Sequence, residues 1–85
     1  MRAIIRTNYR NDNNHVLQDR LEAILKRYDF RTAADTTFEN KDIKPEVLAE
    51  VMCEYWQTVR DKKKDASIVK SARLLGVLIY IDEAR

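Results

Sequence analysis

The chain has 85 residues, of which 45% are apolar and 35% are charged. This length predicts one small globular domain and excludes a second, because typical domains contain about 100 residues or more. The net charge is +2, from 16 basic and 14 acidic residues, and this near balance excludes the strong basic excess of a dedicated nucleic-acid-binding protein.

The apolar pattern and the single cysteine predict a protein of the cytoplasm with no membrane contact. The longest unbroken apolar run covers only residues 77–81, whereas a membrane-spanning helix needs about 20 residues. The first ten residues carry three arginines around a short apolar patch, which is not the pattern of a secretory leader. Cys53 has no second cysteine to pair with, so we expect a fold that is stable without a disulfide in a reducing compartment.

The first part of the chain predicts a strand, a polar loop and an amphipathic helix. Residues 2–7 alternate loosely between two faces, as in a short strand. Residues 8–14 favour a turn, and Asn13 or Asn14 can cap the following helix by accepting hydrogen bonds from its free N–H groups. A first helix over about residues 14–28 is predicted by apolar residues at helical spacing, which are Leu17, Leu21, Ile24, Leu25 and Tyr28.

The middle of the chain predicts extended structure followed by a second helix. Between residues 30 and 39 the apolar period changes to two. One strand, or two short strands joined near Ala34 and Asp35, both fit this segment, since no Gly or Asn-Gly pair marks a tight hairpin turn. Pro45 suits the first turn of a helix that continues to about residue 60. Cys53 flanks its apolar stripe and is expected to pack there, and Trp56 is expected in the core or at an interface.

The last part of the chain predicts a polar connector and an apolar strand. The connector covers residues 62–73, and a further helical turn within residues 66–72 is an open alternative. Residues 74–81 are apolar on both faces, as in a strand that is covered from both sides. We therefore expect this strand to be central in the sheet or to lie at an interface.

These elements predict an α+β fold in which two helices cover one face of a small antiparallel sheet. With two strands in the middle segment, the order becomes β-α-β-β-α-β, which is that of the ferredoxin-like fold. The other face of the sheet would then keep apolar residues of the last strand. Because a chain of this size is usually only marginally stable as a monomer, we expect a homodimer in which such faces or edges meet.

The chain resembles a known group of small proteins in this order of elements. The matching segments are Met1-Arg2-Ala3-Ile4-Ile5, Tyr28-Asp29-Phe30, Thr36-Thr37-Phe38-Glu39-Asn40 and Lys70-Ser71-Ala72-Arg73. They resemble the virulence-associated protein D family and, more distantly, the small CRISPR-associated nuclease-like proteins. The resemblance runs nearly end to end and consists of pattern. It implies a dimeric ferredoxin-like endoribonuclease of a bacterial or phage toxin–antitoxin or mobile-element system.

The resemblance also implies an acidic residue at the end of the first strand, close to the dimer axis. The matching position here is Asn8, and the first carboxylate of the chain is Asp12. A carboxylate can hold Mg²⁺ or accept a proton, whereas an amide only orients groups through hydrogen bonds. Either Asp12 takes the catalytic role, with Mg²⁺ as a cofactor, or the chain keeps the fold without hydrolysis and needs no cofactor. We favour the second alternative.

His15 is the third candidate catalytic residue, because it is the only histidine and follows the polar loop. An imidazole with a pKa near 6.5 suits cleavage of RNA through the 2′-hydroxyl group. A lone histidine near a helix start is, however, more often a solvated surface residue. One His and one Cys also exclude a structural zinc site, which needs four ligands.

Basic residues cluster in the connector, with six cations against two anions between residues 60 and 73. Such a cluster is either a solvated connector or a contact surface for phosphates. Arginines near the first strand would extend that surface. The candidate RNA-binding residues are Arg6, Arg10, Lys62, Lys63, Lys64, Lys70 and Arg73.

The sequence thus predicts a small homodimeric protein that binds or processes RNA. The near-neutral charge also fits a second class, a non-enzymatic regulatory module of a phage or mobile element that docks on a partner protein. A third class is an obligate subunit that lends its apolar strand to a larger sheet.

Overall fold

The computed structural model describes residues 1–68 and 70–82 and shows a four-stranded antiparallel sheet with two α-helices. In chain order the elements are β1 (Arg2–Arg10), α1 (Val16–Arg27), β2 (Arg31–Ala34), β3 (Thr37–Asn40), α2 (Pro45–Arg60) and β4 (Arg73–Asp82). Short 3₁₀ turns at Asn13–His15 and Lys62–Lys64 precede α1 and follow α2. The strand order across the sheet is β2-β3-β1-β4. The prediction of a small α+β protein is confirmed.

Alternation along β1 determines which side of the sheet the helices cover. Ala3, Ile5 and Thr7 are buried, whereas the residues between them are less buried or exposed. The buried apolar residues of β1 belong to one core cluster with residues of both helices, which include Leu17, Leu21, Leu25, Leu48, Val51 and Tyr55. We call the opposite side, which carries Ile4, Arg6 and Asn8, the open face.

The middle segment forms two strands, which resolves the alternative that the sequence left open. β2 and β3 pair antiparallel across a turn at Asp35 and Thr36. Thr36 has a positive φ of 56°, and its carbonyl accepts a hydrogen bond from the N–H of Thr7 at 3.1 Å. The turn therefore lies against β1.

The first strand is longer than the sequence indicated. Residues 8–10 belong to β1 instead of the predicted loop, because they pair with β4. Asn8 lies opposite Gly76, and Arg10 lies opposite Arg73. A long neighbouring strand thus overrides the local turn preference of these polar residues.

The cap of α1 also differs from the prediction. Asn14 and His15 both have positive φ values, 61° and 57°, so the chain makes an extra turn and α1 begins only at Val16. Asp12 is the capping residue instead of Asn13 or Asn14. Its two carboxylate oxygens accept hydrogen bonds from the N–H groups of Leu17 and Gln18, each at 2.9 Å.

We expect Asp12→Ala to lower the free energy of unfolding by about 1–2 kcal/mol, because two helix N–H groups lose their acceptor. Asp12→Asn keeps one acceptor oxygen and is expected to lose less. Urea denaturation of the three proteins measures the difference. Equal midpoints would contradict the capping role.

The described residues of the connector do not include the additional helical turn. Its described residues beyond Lys64 form turns, and Val69, which falls within the predicted helical turn, lies outside the described residues. The Asp65 carboxylate accepts a hydrogen bond from the N–H of Ser67 at 2.9 Å. Such a local bond competes with helix formation.

β4 is an edge strand, so the alternative that placed it in the centre of the sheet is wrong. Most of its apolar side chains are exposed, with Leu78 at 64% and Ile81 at 44%, whereas Leu74 and Val77 are partly buried against the core. Cys53 is also exposed, contrary to its predicted packing role. Trp56 is 45% exposed, so it is not a core residue. The interface alternative for β4 stays a prediction.

The C-terminal end of α1 is tied to α2 by three polar side chains. Arg27 donates to Oε1 of Glu54 at 2.7 Å, and the Tyr28 hydroxyl donates to Oε2 of the same carboxylate. Both hydrogen bonds lower the pKa of Glu54, and the bond from Tyr28 has the larger effect.

We expect the wild type to lose stability as the pH falls below about 4.3, the ordinary pKa of glutamate. A pKa that is lower in the folded state than in the unfolded state stabilises the fold above the unfolded value, and this stabilisation disappears as the pH falls through the folded value. Glu54→Gln should therefore show a smaller acid-induced loss than the wild type in thermal melts from pH 7 to pH 2. Glu50→Gln, on the same helix, is the control and should behave as the wild type does. Identical pH profiles for Glu54→Gln and the wild type would contradict the assignment.

Candidate nucleic-acid interface

A polar cavity of about 570 Å³ lies at the C-terminal end of β1 and brings the three candidate catalytic residues together. Its walls come from β1, from the loop before α1, from the start of α1 and from the turn between β2 and β3. The lining residues are Thr7, Asn8, Tyr9, Asp12, His15, Gln18, Asp35 and Thr36. Asp35 and Thr36 were missed by the sequence analysis, because only the hairpin reveals that their turn contacts β1.

Backbone strain is concentrated around this cavity. Of the five described non-glycine residues with positive φ, His15 and Thr36 line the cavity, and Asn11 and Asn14 lie in the loop that borders it. A positive φ is uncommon, above all for a β-branched residue such as threonine. Conformations of this kind persist where the surrounding structure holds them, and they cluster at functional sites.

The groups inside the cavity are hydroxyls, amides, one imidazole and two carboxylates. Both oxygens of Asp12 cap α1, so this carboxylate has a structural task. The pKa values of Tyr9 and Tyr55 are both raised, and burial is the main cause for each. In the described part of the chain, no group of three or more His, Cys, Asp or Glu residues could hold a metal ion.

Two arginines lie opposite each other at the end of the sheet where the cavity lies. Arg10 of β1 lies directly opposite Arg73 of β4, and directly opposite residues in a sheet share a face. Arg10 is on the open face, because it continues the alternation of Arg6 and Asn8 along β1. Within residues 1–68 and 70–82, neither guanidinium has a salt bridge or a hydrogen bond. The two like charges therefore have no partner among the described side chains.

The open face also carries apolar and aromatic side chains from β4. Tyr80 lies opposite Ile4, and Leu78 lies opposite Arg6. Tyr80 is about half exposed, and the guanidinium of Arg2 lies 5.9 Å from its ring centroid. Arg2 itself forms a salt bridge with Glu39 at 3.2 Å. The free positive charge of this face is thus concentrated at the end where Arg6, Arg10 and Arg73 lie.

The basic turn after α2 comes close to the start of β4. Nζ of Lys62 donates to the carbonyl of Ala72 at 2.8 Å, one residue before Arg73. Lys64 lies 3.8 Å from Asp61 in a weak ion pair, and Lys63 and Lys70 are exposed. The structure therefore brings Lys62 beside Arg73.

Comparison with known proteins gives no match to a family model, to a curated protein or to a solved structure. Among the described residues, no helix is long and apolar enough to span a membrane.

Proposed function

We propose that this chain binds single-stranded RNA on the open face of its sheet, as a small homodimeric protein of the virulence-associated protein D type. The observation that carries this proposal is the Arg10–Arg73 pair, two like charges opposite each other without a described partner. The ferredoxin-like fold is part of the proposal, and the order of strands and helices supports it.

The arginine pair destabilises the free protein. Like charges directly opposite each other in a sheet are destabilising, so a bound anion between Arg10 and Arg73 would relieve repulsion that the free protein carries. A guanidinium donates two parallel hydrogen bonds to a phosphate, which makes such a bond strong and directional. A phosphate group between these two residues is therefore the ligand that fits the pair.

The remaining side chains of the open face favour a single strand over a duplex. Leu78 and Tyr80 present exposed apolar and aromatic surface further along β4, opposite Arg6 and Ile4. Unpaired bases stack on such surfaces, and each stacked base contributes about 1–3 kcal/mol. Bases in a duplex are already stacked and paired, so a duplex cannot use this surface in the same way.

We propose that the polar cavity does not hydrolyse the bound RNA. Asn8 has no carboxylate to hold Mg²⁺ or to accept a proton. The carboxylate of Asp12 caps α1 through both oxygens. The imidazole of His15 and the carboxylate of Asp35 remain in the cavity as groups that can accept a proton.

Fluorescence anisotropy with a labelled oligoribonucleotide tests this function. We expect binding that weakens with salt, with a slope of log K against log salt of about −1.4 for two phosphates of a single strand, one between Arg10 and Arg73 and one at Arg6. A duplex of the same length should bind more weakly. We expect no hydrolysis, so the RNA should stay intact on a gel both with and without Mg²⁺. Absence of salt-dependent binding would contradict the proposal and would favour the protein-docking module.

Any cleavage that is observed can be assigned with two variants. Asp12→Asn keeps part of the helix cap and removes the negative charge, and His15→Ala removes the imidazole. Cleavage that is lost in either variant would identify that residue as catalytic and would overturn our preference for binding alone.

A further inference from the structure

We propose that β4 pairs antiparallel with β4 of a second copy of this chain, so that two four-stranded sheets join into one sheet of eight strands. β4 lies at one edge of the sheet and has β1 on one side. Within residues 1–68 and 70–82 no strand lies on its other side. The outward backbone N–H and C=O groups of an edge strand can pair with another strand.

The exposed side chains of β4 lie on both faces of the sheet. Leu78 and Tyr80 share the open face with Ile4 and Arg6, because they lie opposite those residues. Ile79 and Ile81 lie on the helix side, opposite Ile5 and Ala3, and are still exposed. A partner laid on the open face would cover only the first pair. A strand added in the plane of the sheet is adjacent to both pairs.

The uncharged, apolar side chains of β4 favour a second copy of this chain as the partner. No charged residue and no proline occurs from Leu74 to Ile81, although edge strands are commonly protected by such residues. The added strand has to bring apolar side chains on both faces, and β4 itself does so. The other edge strand, β2, consists of the short segment Arg-Thr-Ala-Ala and does not offer a comparable surface.

A two-fold axis perpendicular to the sheet gives the antiparallel direction. This arrangement keeps the helices of both copies on the same side of the joined sheet, so the two open faces form one continuous surface. Residues that oppose each other share a face, so one residue near the middle of β4, such as Leu78, lies opposite its own copy at a two-fold axis. Each copy then uses its β4 edge once, and the assembly closes at two chains.

Sedimentation equilibrium of the full chain without nucleic acid tests this interface independently of RNA binding. We expect the wild type to have twice the mass of one chain. Leu78→Lys, on the open face, and Ile81→Lys, on the helix side, should each weaken the dimer by at least about tenfold. Ala33→Lys, which places the same charge on the other edge strand, is the matched control and should remain dimeric.

The alternative arrangements give different results. Packing of the two open faces would be disrupted by Leu78→Lys but not by Ile81→Lys, and that pattern would overturn the proposal. A monomeric wild type or an open-ended polymer would also overturn it. If Ile81→Lys is unfolded by circular dichroism, amide hydrogen exchange of the wild type decides the question. Edge pairing protects alternate amides that point away from β1, whereas their rapid exchange would contradict the interface.

Discussion

Arg10→Ala combined with Arg73→Ala is expected to weaken binding of single-stranded RNA by about 30-fold or more, which corresponds to about 2 kcal/mol. Arg10 and Arg73 lie opposite each other in the sheet, and neither guanidinium has a described partner. Hydrogen bonds to charged groups are among the stronger ones in water. The salt slope should also become shallower by about 0.7, because the one phosphate held between the two arginines is lost. Anisotropy titrations at several salt concentrations measure both quantities.

A matched control separates this specific loss from a change in net charge. Lys26→Ala combined with Lys41→Ala removes two positive charges from exposed positions in α1 and after β3. These changes should alter RNA affinity only slightly. The arginine variant should also melt at the wild-type temperature or above it, since like-charge repulsion in the sheet is removed. Equal losses of affinity in the two double variants would contradict an RNA site at the arginine pair.

Leu21→Ala is expected to lower the free energy of unfolding by about 2–5 kcal/mol. Leu21 is completely buried in the core cluster between α1 and the sheet, so truncation removes apolar contacts and leaves a cavity. A domain of this size has a total stability of roughly 4–13 kcal/mol. The single substitution should therefore remove a large fraction of the stability.

Chemical denaturation of Leu21→Ala and Ile4→Ala compares two aliphatic residues on opposite sides of the fold. Ile4 lies on the open face and is only partly buried, so its truncation should cost clearly less. A larger loss at Ile4 than at Leu21 would contradict the assignment of the core to the helix side of β1.

The features that the sequence predicted well are those with long apolar periodicity. Pro45 and the apolar stripe behind it gave the bounds of α2, and the β-branched run gave β4, because regular side-chain spacing depends on the local geometry of the backbone. The length of β1 was missed, since the pairing of Arg10 with Arg73 is a contact between distant parts of the chain. Local composition alone carries no information on such pairing.

The candidate site was recognised only in part for the same reason. Asn8, Asp12 and His15 are close in sequence, and they do line one cavity. The role of Asp12 as a helix cap depended on the positive φ values at Asn14 and His15, which no pattern of residue types indicated. The contribution of Asp35 required the β2–β3 turn to lie against β1, and the exposure of Cys53 required the actual orientation of α2.

An NMR titration of the isotope-labelled protein with a short single-stranded RNA tests most directly whether RNA lies on the open face. We expect amide and side-chain shifts to be largest at Arg6, Arg10, Arg73 and Tyr80, with small shifts on the outer surfaces of α1 and α2. The largest shifts on the helices, or no shifts at all, would contradict an RNA site on this face of the sheet.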